Sequence, residues 1–280
     1  MHDPRVGRFF AVDPLYREYP WNSPYAFSEN RVMDAFELEG LEAENIESKF
    51  RKWFSGEGVK NLDVQMPEPN AGEVQKQVYQ ITVKKSNVTF DDLKEVLITK
   101  PQDILNSGEA DFHPIFPSGR MKEGNYISID IFGPLNNSHV MVGTIENTPN
   151  RIAVTFLTTR GHVERGFITF SIDKNKDGSL TFQIDGVSQG NFGSGFLLGL
   201  IGTSTREKQS QSWLEVLGNF AKAAGSESGK VEVNMESAKS GKVFELGTDG
   251  TSSFSGSLKD INTSDKREKV AEKLQDDLDE

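Results

Sequence analysis

The chain has 280 residues, no cysteine and a formal net charge of −11 at pH 7. Without cysteine there is no disulfide, thiolate zinc site or thiol nucleophile, and the acidic balance argues against broad binding to nucleic-acid phosphates, which needs a clustered basic surface. Hydrophobic residues make up 35%, with 19 Phe, which supports one compact core with looser flanks.

Residues 1–43 contain Asp3-Pro-Arg-Val-Gly7-Arg-Phe9, Asp13-Pro14 and Trp21-Asn-Ser-Pro-Tyr-Ala-Phe-Ser-Glu-Asn30. Their Asp-Pro and Tyr-Pro dipeptides form turns and disfavour helix. The segment is too short and proline-rich to fold alone, and Phe9, Phe10, Trp21, Tyr25 and Phe27 need a partner to pack on. These motifs resemble the end of the core of Rhs/YD-repeat proteins, in a Bacteroidetes-like form. The resemblance implies the tail of a longer secreted or cell-surface protein, whose variable C-terminal domain is often a toxin. The partners it implies are the upstream Rhs shell and an immunity protein. Many such cores end in an Asp-Pro-x-Gly-Leu release motif; here Asp34-Ala-Phe-Glu-Leu-Glu-Gly-Leu41 lacks the proline. No apolar signal region follows His2-Asp-Pro-Arg5, and the longest apolar patch, Phe196–Ile201, is too short to span a bilayer.

Residues 44–77 read as a connector, with a short helix over Glu44–Phe54 and a linker at Met66–Gly72. The main domain is expected over residues 78–225. It opens with a strand, Val78–Lys85, and a helical stretch, Asn87–Asn106, capped by Thr89 and interrupted at Pro101. Five strands follow, at Tyr126–Phe132, His139–Glu146, Ile152–Thr158, Phe167–Ile172 and Ser179–Val187. A Gly-rich crossing, Gly190–Gly202, leads to a helix over Thr205–Ala224, whose apolar face carries Trp213, Leu214, Leu217 and Phe220 and which Gly225 stops. Residues 226–280 read as a polar tail, partly disordered, with Lys230–Met235 and Lys242–Leu246 able to pair.

The element order predicts an α+β fold: a curved antiparallel sheet packed on a long C-terminal helix, the helix-grip or START-like arrangement. One strand is missing from the usual set, and the stretch Asp111–Pro117 or another run read as irregular can supply it. Within this block, Phe156-Leu-Thr-Thr-Arg-Gly-His162-Val-Glu-Arg-Gly-Phe167 resembles a motif, Thr-Leu-x-Gly-His-x-Glu-x-Gly, of a family of uncharacterised small START-like proteins. That resemblance implies a fold and no reaction.

His162 and Glu164 are separated by one residue, so an extended chain points both to the same face. As an acid–base pair with Arg160 or Arg165 beside an anion they offer catalysis. Equally, the run Arg160–Gly166 reads as a strand-connecting turn held by His162 and Glu164, with Gly161 and Gly166 supplying unusual backbone angles. As a binding site, Arg160, His162, Glu164, Arg165 and Trp213 would meet a lipid or amphipathic small molecule at the rim of a cavity between sheet and helix; the positive loop favours an anionic head. The run Asp173–Gly178 matches half of a calcium loop, but its twelfth position is Ile184, so it reads as a hairpin turn. His113, His139 and His162 lack metal-ligand spacing, and no metal or cofactor is expected. The functional expectation is an Rhs-type effector module with a ligand-binding helix-grip domain; a toxin enzyme using Arg160, His162 and Glu164, or a non-toxic interaction module, are the alternatives.

Overall fold

A computed structural model describes residues 2–3, 8–9, 35–38, 42–45, 64–65, 67, 73–131, 137–190, 205–238 and 250–279. The chain divides into two units, Met1–Leu62 and Asp63–Glu280. In the first, β1 (His2–Asp3) pairs with β2 (Arg8–Phe9), and β3 (Ala35–Leu38) with β4 (Glu42–Asn45), both antiparallel. Glu44 and Asn45 therefore lie in a strand and not in the expected helix; the rest of that helix, and most of the Rhs-like motif residues, lie outside the described residues.

The second unit is built on one antiparallel sheet of nine strands, in the order β13-β12-β5-β11-β10-β9-β8-β7-β6. Seven of these strands are β5 (Val74–Val83), β6 (Ala110–Pro114), β7 (Tyr126–Ile131), β8 (Asn137–Asn147), β9 (Arg151–Thr158), β10 (Glu164–Lys174) and β11 (Leu180–Gly190). Helices α1 (Phe90–Thr99) and α2 (Gln102–Leu105) connect β5 to β6, and helix α3 (Thr205–Ala223) follows β11. The six strands from β6 to β11 run as a meander, and β5 closes against β11. That is the helix-grip connectivity, and β6 is the strand missing from the periodicity; its five residues Ala-Asp-Phe-His-Pro hold too few apolar side chains to announce it.

Local signals explain most boundaries. Thr89 caps α1, its Oγ accepting from the Asp92 N–H at 3.1 Å while the Asp92 carboxylate accepts from the Thr89 N–H. Gly225 ends the α3 region with φ of +64°, and the Ser226 N–H donates to the Ala221 carbonyl at 2.9 Å. Gly178 takes φ of +80° in the β10–β11 turn, where Asp177 accepts from both the N–H and the hydroxyl of Ser179 and Asp173 pairs with Arg151. The half-calcium-loop sequence thus serves as a hairpin turn.

The inner face of the sheet alternates as strands require. On β5, Gln75, Gln77, Tyr79, Ile81 and Val83 are all buried. Strand β5 begins four residues before the expected Val78, because two inward positions are glutamines and interrupt the apolar alternation. Phe156, Phe170, Phe182 and Phe220 form a chain of ring contacts from the sheet to α3, ending in a Phe182–Phe220 stack 4.8 Å apart.

The described residues of the tail form two strands and a helix. Strand β12 (Lys230–Ala238) pairs with β5 on one side and with β13 (Gly250–Ser257) on the other, and helix α4 (Ser264–Asp279) packs on β13 and α3. The partner of β12 is β13 and not Lys242–Leu246, which lies outside the described residues. Ala271, Leu274 and Leu278 are buried and recur at helical spacing. That narrow stripe fixes α4, although the remainder of the helix is charged.

Candidate functional site

Sheet and helix do not meet everywhere. Between the inner face and the first half of α3 lies a cavity of about 100 Å³, lined chiefly by aliphatic and aromatic side chains such as Phe112, Ile129, Val140, Phe156, Ile184 and Trp213. Its polar groups gather at one end, where β10 begins and α3 starts. A void this size is about two-thirds of one that holds benzene, so it suits a small molecule or the tip of a longer one.

Glu164 is the centre of the polar end. It opens β10 opposite Gly190, the last residue of β11, and is 8% exposed. Its Oε1 lies 2.7 Å from Nη1 of Arg206, in the first turn of α3, and its Oε2 accepts from the Gln209 amide one turn later. Arg206 also donates to the Ser188 hydroxyl at 2.7 Å and to Gln209 Oε1 at 3.2 Å. From Gln209 the hydrogen bonds continue to Gln77, then Gln75, then Gln275 of α4, which reaches Ser210. The Tyr79 hydroxyl donates to Ser210 at 2.9 Å; burial pushes its pKa upward against the lowering effect of that bond. A buried carboxylate is tolerated only when paired and hydrogen-bonded, and this relay does both.

His162 is 8% exposed and precedes the strand. Its Nδ1 lies 3.0 Å from the Glu164 backbone nitrogen and 3.1 Å from the Glu164 carbonyl oxygen, accepting from the first or donating to the second according to the ring tautomer. Burial lowers its pKa, partly opposed by the charge of Glu164. The imidazole is bound to the backbone of Glu164, while the carboxylate of Glu164 is directed at Arg206 and Gln209. Both line the cavity, as does Val163 between them.

The connecting loop is shorter than the heptad suggests, since Glu164, Arg165 and Gly166 already belong to β10. Arg160 and Gly161 sit exposed on the turn, with Gly161 at φ of +92°. Gly166 has φ of +146°, and a Cβ there would stand 2.0 Å from the Val187 carbonyl oxygen, so only glycine fits. Beside it the chain's own Gln65 is inserted: its N–H donates to the Thr158 carbonyl at 2.8 Å and its carbonyl accepts from Gly166 at 3.2 Å. Gln65 is thus bonded to two residues, Thr158 and Gly166, that line the cavity.

Of the residues expected at a site, the structure brings His162, Glu164 and Trp213 to the cavity; Arg160 and Arg165 are not among its lining. The charged residues that line the cavity are Glu109, paired with Lys208, and Glu164, paired with Arg206, and not the positive loop. His113 instead pairs with Asp130 at 3.1 Å, and no cluster of three metal-capable side chains exists among the described residues. Arg206, Gln209, Gln77 and Ser188 had escaped notice. Two signals point to them: Gln75 and Gln77 fall in phase with Tyr79, Ile81 and Val83, and Arg206, Gln209, Ser210 and Trp213 fall at helical spacing above Leu217.

The family described as Domain of unknown function (DUF1990) matches residues 107–204, which contain the Arg160–Gly166 motif and do not reach the first 43 residues. No curated protein matches the chain. Among solved structures, a hypothetical protein of Helicobacter pylori is 11% identical with a TM-score of 0.41, covering 62% of this chain and 93% of its own. Major latex-like protein 151 of Panax ginseng is 14% identical with a TM-score of 0.34, covering 55% of this chain and 99% of its own. A Rhizobium loti protein is 12% identical with a TM-score of 0.34, covering 54% and 97%. Scores of this size carry no inference about activity, and the fold assignment rests on the strand connectivity above.

Proposed function

We propose that the Asp63–Glu280 unit is a binding module, holding a small, mainly apolar or amphipathic molecule between sheet and α3. The observation that supports this reading best is the combination of an apolar cavity with one polar end whose carboxylate is already neutralised by Arg206. An apolar pocket with a few convergent polar groups is the usual form of a small-molecule site. A catalytic role for Arg160, His162 and Glu164 has less support, because Arg160 is exposed on the turn and the Glu164 carboxylate is engaged by Arg206 and Gln209.

Native mass spectrometry of the protein isolated from its producing cells tests the reading, alongside an Ala110→Leu variant. Ala110 lines the cavity on a short edge strand, and a larger side chain there takes up the space. A non-covalent adduct on the wild type that the variant lacks is the expected result. An adduct retained equally by both proteins places any ligand elsewhere.

For the whole protein the proposed context is a secreted or cell-surface Rhs-type effector, with its own upstream shell and an immunity protein as partners. Its support is the sequence of residues 3–30. Producing the chain inside a cell tests this: growth arrest relieved by a co-produced neighbouring gene product is expected, and unimpaired growth removes the toxin part while leaving the binding module.

A further inference from the structure

The direction of the hydrogen bonds in the buried relay defines what the cavity asks of its occupant. The Glu164 carboxylate pairs with Arg206 and accepts from it and from Gln209. Gln209 must therefore turn its amide nitrogen toward Glu164, which leaves its oxygen facing Gln77 and Arg206. Gln77 in turn must donate: its Nε2 gives one bond to Gln209 Oε1 at 3.1 Å and another to Gln75 Oε1 at 2.9 Å. Both of its protons are thus spent. Its Oε1 has no donor among the described residues, although the side chain is only 4% exposed and lines the cavity. A carboxylate also has more acceptor capacity than two bonds use, so Glu164 adds to the same excess.

The geometry points to a specific ligand class: a neutral, mainly apolar molecule carrying one hydroxyl or N–H donor, which it directs at Gln77 Oε1. This rests on the cavity-binding reading and narrows it. An anionic head fits poorly, because the charged side chains lining the cavity are the carboxylates of Glu109 and Glu164. A molecule with no donor leaves the Gln77 oxygen without that bond, which costs binding free energy.

Pyrrole and furan separate these cases, since both are five-membered rings and only pyrrole has an N–H. Each is titrated into the full-length protein, with NMR detection of the Ile168 and Ile184 methyls and of the Gln77 side-chain amide. Pyrrole is expected to bind about fivefold tighter than furan or better, the range of one net hydrogen bond, and to shift the Gln77 amide. Equal binding of both rings overturns the donor requirement and leaves the cavity reading intact. Binding of neither defeats the cavity reading as well. In a Gln77→Met protein the preference for pyrrole should vanish; a preference that persists there moves the acceptor to Glu164 and overturns the assignment to Gln77. Should that variant fail to fold, the wild-type comparison decides alone.

Discussion

Arg206 Nη1 lies 2.7 Å from Glu164 Oε1, and the two side chains keep only 16% and 11% of their surface exposed. One residue begins a helix and the other a strand, so this pair fixes the angle at which α3 leaves the sheet. Removing one partner strands the other charge in a largely dry setting. An Arg206→Met change should cost about 3–5 kcal/mol, read from the urea midpoint. The double change with Glu164→Gln should cost less than Arg206→Met alone, because no charge is then left unpaired. A single variant as stable as wild type removes this pair from the structural role given to it.

His162 gives a pH dependence with a defined sign. Burial lowers its folded-state pKa below the unfolded value of about 6.5. Below about pH 6.5 the unfolded chain takes up a proton that the folded chain resists, so stability falls as the pH drops from there toward the folded pKa, and rises again with pH. Above the unfolded pKa this contribution is fully present. A His162→Gln protein should show a shallower loss across that window. Parallel curves for the two proteins would show that His162 does not titrate differently on folding.

Gly166 is predicted to tolerate no side chain. Alanine there meets the Val187 carbonyl oxygen and a φ of +146° together, and should destabilise by more than about 1 kcal/mol. Gly161 has a positive φ but open space around it, so Gly161→Ala should cost less. The order of the two denaturation midpoints checks this.

Leu274→Ala tests whether the C-terminal helix belongs to the fold. Leu274 is 1% exposed, and its truncation should cost roughly 2–5 kcal/mol. A change near zero would return residues 264–279 to the status of a loose tail.

The sheet strands between Tyr126 and Val187, the Thr89 cap and the long helix with its Gly225 stop were legible in the sequence, since each carries its own periodic or capping signal. Strand β6 was not, because its Asp111 and His113 alternate with little besides Phe112 and its place is fixed by pairing with β7. Helix α4 is mostly charged, and its docking stripe of Ala271, Leu274 and Leu278 is narrow beside that charge. At the site, the spacing of His162 and Glu164 puts both on one face of an extended chain, whereas in the structure Val163 lines the cavity between them. The spacing gave no sign of Arg206 or Gln209, which lie more than forty positions along the chain from Glu164 and meet it only through the crossing of helix and sheet. The positive run at Arg160 suggested an anionic partner, yet strand geometry turns its neighbour Glu164 inward and leaves Arg160 in solvent.

Intermolecular NOEs from a bound neutral probe such as pyrrole to methyl-labelled protein test the binding-module proposal most directly. The expected contacts are with the methyls of Ile129, Val140 and Ile184, which line the cavity from three different strands. Contacts confined to an exposed site such as Ile115, which is 82% accessible, or no contacts at saturating probe, would contradict the assignment of this cavity as the ligand site.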